Sequence, residues 1–313
     1  MKRWRCVLSI PGDAMYLRAQ KAAAKAAADR LGVDLQVVSA QMDAVAQGQE
    51  LLELVQSRIE PRLDGILLEP VSANGLPRVA EAAVAAGIGW VVSNAKVEYL
   101  GALRKKANVP VFLVSQDHTG VGRIQGRQIA ALLPEGGSVL YLRGPAMSAV
   151  ASRRFEGVES TKPKNVDLKS LKVQGSTAED ACKTVCSWLN LSTVRPESTQ
   201  LIMSQNVDFI FGARKAFETN TSEPERTKWL ALPCAGVGVA SQVKPLVDQG
   251  VLCAAVLTSL TMDKALEMLV KAIKNGSQPP EQTFVDADPY PSLEELTKRR
   301  KGARTLDRSL AMT

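Results

Sequence analysis

The sequence predicts an α/β fold built as two doubly wound parallel-sheet lobes, and three observations carry that prediction. Short β-branched runs alternate with longer helical patterns along nearly the whole chain, the signature of stacked βαβ units. The runs number ten, more than one ordinary sheet carries, so two sheets of about five fit better than one. The chain also breaks pattern at "VPVFLVSQDHTG" and "LCAAVLTSLTMDKALEML", each a strand, a break and a helix without a Gly/Ser linker, as stiff crossings between lobes would be.

Taken in order, "RCVLSI" is the first strand, turning through Pro11, Gly12 and Asp13 into an alanine-rich helix that ends "AADRLG". "DLQVVSA", "DGILLEP" and "IGWVVSN" follow as strands, with "AQGQELLELVQSRI" and "GLPRVAEAAVAAG" as the helices between them. The first crossing leads into "GVGRIQGRQIAALL", and strands are then expected at "SVLYLR", "LKVQG", "TQLIMSQ", "WLALPCAGV" and "LCAAVLTS". Their helices are "AEDACKTVCSWLN", "DFIFGARKAFE" and "MDKALEMLVKAIKNG". The irregular, proline- and acid-rich "VDADPYPS" supplies a third crossing. This division gives a first lobe of residues 1–115 plus 259–283 and a second of 116–258 plus 284–313.

In open parallel sheets ligands bind beyond the carboxyl ends of the strands. The loops at those ends are "PGDAMY", "EPVSANG", "SNAKVEY", "RGPAMSAVASRR", "QNVDF" and "GVGVAS", rich in Ser, Asn and Gly and poor in paired acids.

Composition narrows the function classes. The 313 residues are 45% hydrophobic, 23% charged and 4% aromatic, enough for two packed lobes, and no apolar run approaches the roughly 20 residues of a membrane helix. The apolar part of "MKRWRCVLSIPGDAM" is too short for a secretory h-region and reads as a strand. The five cysteines, Cys6, Cys182, Cys186, Cys234 and Cys253, sit inside strand or helix patterns and read as reduced core residues, with no ligand set spaced for zinc. The net charge of +7 is concentrated in "TKRRKGAR", which reads as a solvated helix face, and no aromatics are interleaved with it as a nucleic-acid platform requires.

Motifs with chemical meaning are sparse. Gly120, Gly122 and Gly126 in "GVGRIQGRQ" approximate a dinucleotide fingerprint, but the next strand ends in Arg143 rather than in the acid a ribose would need. His118, with Asp117 beside it, has the makings of an acid–base pair but lacks a nucleophile, so a surface or hinge role is expected. No G-x-S-x-G elbow or phosphate-binding G-x-x-x-x-G-K-[ST] occurs, and Glu69 and Asp208 lie in different halves, which leaves a glycosidase pair unsupported. No cofactor or metal is expected.

The order of these segments resembles the sugar-type periplasmic binding proteins of the ribose-binding class, which also supply the effector domains of LacI-type repressors. The resemblance runs from Trp4 to about Asn275 through "DLQVVSAQMDAVAQGQELLELVQSRIEPRLDGILLEPVSANGL", "AAGIGWVVSN", "VSQDHTGVGRIQGRQIAALL", "ASRRFEGVE", "IMSQNVDFIFGARKAFE" and "LVDQGVLCAAVLTSL". It implies two lobes joined by a three-strand hinge, with crossings near Ser115, Thr258 and Phe284, closing on a small ligand in the inter-lobe cleft. Trp4 already opens the first strand, so a repressor's DNA-binding helices are not expected.

Family sites stack aromatics on the ligand and bond its hydroxyls with planar polar side chains. Carried over by position, Tyr16 is the stacking aromatic, Leu17 replaces a second one, and Asp13 stands near the usual Asn. Asn206 matches the Asn after the eighth strand. Asn94 (followed by Ala95), Ser152 with Arg153, Gly238 and Thr258 replace an Asp-Arg pair, an Arg, an Asp and a Gln of the family pattern. Each lost charge-assisted bond is worth about 1.5–3 kcal/mol against the ~8 kcal/mol of micromolar binding, which argues against simple ribose or glucose.

The resemblance therefore implies a non-enzymatic, monomeric binder of a small carbohydrate-like ligand that serves an ABC-type transporter, with a membrane permease or receptor as partner and no nucleic acid. The expected setting is periplasmic if an export signal has been removed. A cytoplasmic or receptor-linked sensor of the same fold is the first alternative, and an enzyme on an α/β scaffold the second.

Overall fold

A computed structural model describes residues 3–57, 62–191 and 193–299. They divide into two compact units: one takes the chain up to Gln116 and returns for Leu260–Val285, the other takes Asp117–Ser259 and resumes at Asp286. Each unit is an α/β layer structure on a six-stranded sheet.

In the first unit the strands are β1 (Trp4–Ile10), β2 (Val33–Ser39), β3 (Gly65–Leu68), β4 (Gly89–Ser93), β5 (Val111–Gln116) and, after the chain returns, β11 (Gln282–Val285). Their order is β11-β5-β4-β3-β1-β2, all parallel. Both faces are covered, which is why β3, β4 and β5 are buried at every residue and read as unbroken apolar runs. Helices α1 (Met15–Leu31) and α11 (Met262–Asn275) pack on one face through Ala24, Ala27, Met262, Leu266 and Leu269. Helices α2 (Ala44–Gln56), α3 (Pro77–Ala85) and α4 (Leu100–Lys106) cover the other through Leu51, Val79 and Leu103.

The second unit holds β6 (Gly137–Arg143), β7 (Val166–Lys172), β8 (Leu201–Ser204), β9 (Cys234–Val239), β10 (Ala254–Thr258) and β12 (Ala287–Tyr290) in the order β12-β10-β9-β8-β6-β7. Helices α5 (His118–Leu132) and α6 (Ala149–Glu159) lie on one face, with Ile129 and Val158 in its core. Helices α7 (Ala178–Leu189), α8 (Val207–Asn220), α9 (Glu225–Ala231) and α10 (Ala240–Asp248) lie on the other.

Several local expectations are corrected. "WLALPCAGV" is not one strand: residues 225–231 are helical and β9 begins only at Cys234, because Trp229 is buried against the Phe217 ring, 4.9 Å away and nearly coplanar. The strand expected at "LKVQG" runs earlier, as the edge strand β7, whose charged alternation hides it from a search for apolar runs. The irregular "VDADPYPS" contributes to two short strands, and β12 is the one antiparallel member of its sheet. His118 is not a surface residue: it is buried at the start of α5. In "TKRRKGAR", Lys298 and Arg299 pair with Glu294 and Glu295 along a helical stretch, and the segment from residue 300 lies outside the described residues. All five cysteines are free.

The dinucleotide-like glycines have a packing role. A Cβ on Gly122 would sit 2.0 Å from the Arg154 carbonyl oxygen, and one on Gly157 would sit 2.2 Å from that of Thr119. The two glycines let α5 and α6 cross backbone to backbone.

Candidate functional site

The order β2-β1-β3-β4-β5 reverses direction between β1 and β3, so the crevice of the first sheet opens at their carboxyl ends. The loop after β1 contributes Asp13 and Tyr16, and the loop after β3 contributes Glu69. Gln47 of α2, buried at 1%, ties the two loops together: its amide donates to Ser9 Oγ and to the Glu69 carbonyl, both at 3.0 Å, and its oxygen accepts from Val71 N at 2.9 Å. The Glu69 N–H in turn bonds the Ser9 carbonyl at 3.0 Å, so Glu69 is held at both ends of its peptide.

Three amides converge on the Tyr16 hydroxyl. Asn94 Nδ2 and Gln116 Nε2 each donate to it from 3.0 Å, and Gln20 Nε2 makes a short bond to it. Asn94 reaches this position with φ of 58°, a left-handed backbone that asparagine tolerates better than most residues. The same Asn94 amide donates to Glu69 Oε2 at 3.0 Å. Tyr16 is thus pinned at its hydroxyl and at its helix, a half-buried ring in a fixed place.

Gln20 does more than hold Tyr16. Its Nε2 donates to Thr261 Oγ1 at 2.8 Å, and its Oε1 accepts from Thr261 N and Met262 N, both at 3.0 Å. Those are N-terminal donors of α11, whose own N-cap makes no side-chain cap bond, so a helix 241 residues away caps it. Ser93 Oγ completes the cluster at 2.6 Å from Thr261 Oγ1. The constellation consists of amides and hydroxyls plus one acid, and that acid is perturbed: burial pushes the Glu69 carboxyl up to about 7, with the Asn94 bond opposing it. Part of Glu69 stays accessible even so.

The remaining first-unit positions are less engaged. Asp13 is exposed, with Arg18 Nη1 at 3.4 Å, and Leu17 is buried in the core stripe of α1. Ala14, at the N-cap of α1, makes no side-chain cap bond.

The second sheet repeats the reversal between β6 and β8. There Gln205 links the loops: its oxygen accepts from Gly144 N at 3.0 Å and its amide donates to the Ala151 carbonyl at 2.9 Å. Arg154 Nη1 donates to the Gln205 carbonyl at 2.6 Å. Ser152 and Arg153 lie half-buried at the start of α6, next to the arginine that makes this contact. Asn206 caps α8 by accepting from Asp208 N at 3.1 Å, and its Nδ2 donates to the Ser176 carbonyl at 3.2 Å, which leaves one amide hydrogen and one oxygen lone pair over. Gly238 stands one residue before the end of β9, half-buried, and Thr258 ends β10, buried. Asp117, beside His118, likewise serves a cap, accepting from Gly120 N at 2.8 Å.

Position-by-position carry-over missed Gln20, Gln47, Gln116, Thr261, Gln205 and Arg154. One signal was available: Gln20 falls in the buried stripe Leu17, Gln20, Ala24, Ala27 of an amphipathic helix, where a polar residue needs partners.

Residues 7–277 match the model of a family described as the periplasmic binding protein domain. The chain belongs to that family. A search of curated protein sequences finds no match. Among solved structures, it resembles an ABC transporter periplasmic solute-binding protein from Actinobacillus succinogenes 130z with bound D-allose, at 15% identity and a TM-score of 0.77, covering 95% of this chain and 100% of that one. It also resembles the arabinose-transporter binding protein of Shewanella sp. ANA-3, bound to L-arabinofuranose, at 20% identity and 0.74, covering 97% and 98%. A third is the fructose-binding periplasmic domain of a hybrid two-component system, at 18% identity and 0.72, covering 99% and 98%. Members of the family share the two-lobe α/β fold seen in this chain.

Proposed function

We propose that this periplasmic binding protein holds a small polyhydroxylated ligand, carbohydrate-like in character, as the solute-binding component of an ABC-type transporter, and does so without chemistry. The observation that carries the reading is the set of amides and hydroxyls around Tyr16 at the reversal point of the first sheet, with Asn94, Gln116 and Glu69 beside it. Planar amides match sugar hydroxyls, and a fixed aromatic ring suits the C–H face of a sugar. The solved relatives named with allose and arabinofuranose support that ligand class. On this reading the protein works outside the cytoplasm beside a membrane permease, and among the described residues no helix is long and apolar enough to cross a membrane.

Sugars, sugar alcohols and nucleosides screened by thermal shift test the proposal. A ligand at 100 times its Kd adds about 2.7 kcal/mol, a rise of about 5 °C in a chain of this size. No rise with any member of the panel would overturn it. The resemblance to a two-component sensor domain favours a second reading, in which the same site reports its ligand to a receptor. Co-purification with a permease rather than a kinase-linked receptor separates the two.

A further inference from the structure

We infer that Glu69 makes this a site for a polyhydroxylated ligand that carries a basic nitrogen, the ligand's ammonium supplying the counter-charge that the protein lacks. The inference rests on the ligand site proposed above and names its substrate class. Glu69 stands at the end of β3, on one of the two loops where the sheet order reverses. Its main chain is fixed by Ser9 and Gln47, so the carboxyl has a set position. Among the described residues, the one side-chain bond its carboxyl accepts comes from the Asn94 amide, a neutral donor.

The side chains that bond it are neutral, Asn94 at the carboxyl and Gln47 at the main-chain carbonyl, and so are those that Asn94 meets in turn, Tyr16 from α1 and Thr261 at the start of α11, with Gln20 and Gln116 on the same Tyr16 hydroxyl. Among the described residues, no lysine, arginine or histidine pairs with this carboxylate or acts on its ionisation, and Arg18 of α1 pairs with Asp13 on the surface. A carboxylate partly withdrawn from water without a cation is costly, and such groups cluster where a ligand or reaction uses the charge. Its raised proton affinity, near 7, has the same cause. An incoming ammonium would settle the charge, while Tyr16, Asn94 and Gln116 meet the ligand's hydroxyls. A neutral sugar leaves Glu69 either protonated or uncompensated, and a sugar acid adds a repulsion.

The test uses the full chain and matched sets of compounds: sorbitol, glucamine and gluconate, and their counterparts in the galactose and ribose series. Affinities are measured by calorimetry at pH 5.5 and pH 8 for the wild-type protein and for Glu69→Gln, whose amide keeps an acceptor for Asn94. The expected result is an amino compound bound at least tenfold tighter than its neutral partner at pH 8, with the advantage shrinking at pH 5.5 and absent in Glu69→Gln. Neutral members bound as tightly as amino ones, with Glu69→Gln unchanged, would overturn the charge inference and leave the ligand site standing. Preference for the acids would overturn it as well. If no member of any set binds, the failure belongs to the carbohydrate reading itself. Melting of Glu69→Gln at pH 5.5, where the wild-type carboxyl is protonated, within about 3 °C of wild type shows that its fold is intact.

Discussion

Gln20 shows how much one side chain can decide. It is fully buried and satisfies two main-chain donors of α11, a hydroxyl and the Tyr16 phenol. Gln20→Ala should therefore cost about 2–4 kcal/mol, because Thr261 N and Met262 N lose their acceptor, with the loss read as a lowered urea midpoint. Glu69 gives a pH signature. Its folded proton affinity, near 7, lies above that of an ordinary carboxyl, so the folded state binds the extra proton between about 4.5 and 7. Stability from this group is fully present below about pH 4.5 and is lost as pH rises through 7, by up to about 3 kcal/mol. Melting followed from pH 4.5 to 8 should show that decline in the wild type and a flatter profile in Glu69→Gln. The thiols behave in a related way: burial pushes Cys6 and the half-buried Cys253 up to about 12 and Cys234 up to about 11. In the native protein at pH 8, Cys6 and Cys234, both buried, should resist iodoacetamide until denaturant is added, as mass spectrometry of the labelled chain would show.

At the scale of elements, the contact between α5 and α6 is set by glycine. Gly122→Ala or Gly157→Ala would drive a methyl into main-chain oxygen, which cannot move aside as a side-chain tip can, and should cost about 3 kcal/mol or more. Gly32→Ala is the control: it meets no neighbour within 4 Å and pays about 1 kcal/mol for its left-handed φ of 69°. Chemical denaturation of the three variants measures the contrast. The glycine spacing that resembled a dinucleotide motif is thus explained by helix packing, a distinction the spacing alone does not hold. Most elements were legible because covered parallel strands read as apolar runs and their helices as amphipathic stripes. The illegible ones share a cause. β7 and β12 lie at sheet edges, where half-exposed residues blur the pattern, and α9 looks like a strand until Trp229 finds Phe217.

For the whole molecule, the division of labour is repeated: each sheet reverses its strand order once, and at each reversal a glutamine, Gln47 or Gln205, ties the two neighbouring loops together. Fold and family were legible from the order of segments. Of the candidate site, Tyr16 and Asn94 were named by position, whereas Gln116 meets Tyr16 across 100 residues of chain and Thr261 meets Gln20 across 241, pairings that no local pattern shows. What those pairings build is a rigid, neutral hydrogen-bonding surface with one acid in it, and the central claim is that this surface holds a polyhydroxylated ligand. Calorimetric titration of the best ligand from the thermal screen into wild type and Asn94→Gly tests it most directly, because glycine keeps the left-handed backbone at φ 58° and removes only the amide. One-to-one binding to wild type, weakened at least tenfold in Asn94→Gly, is the predicted result. Equal affinity in the two proteins would contradict it.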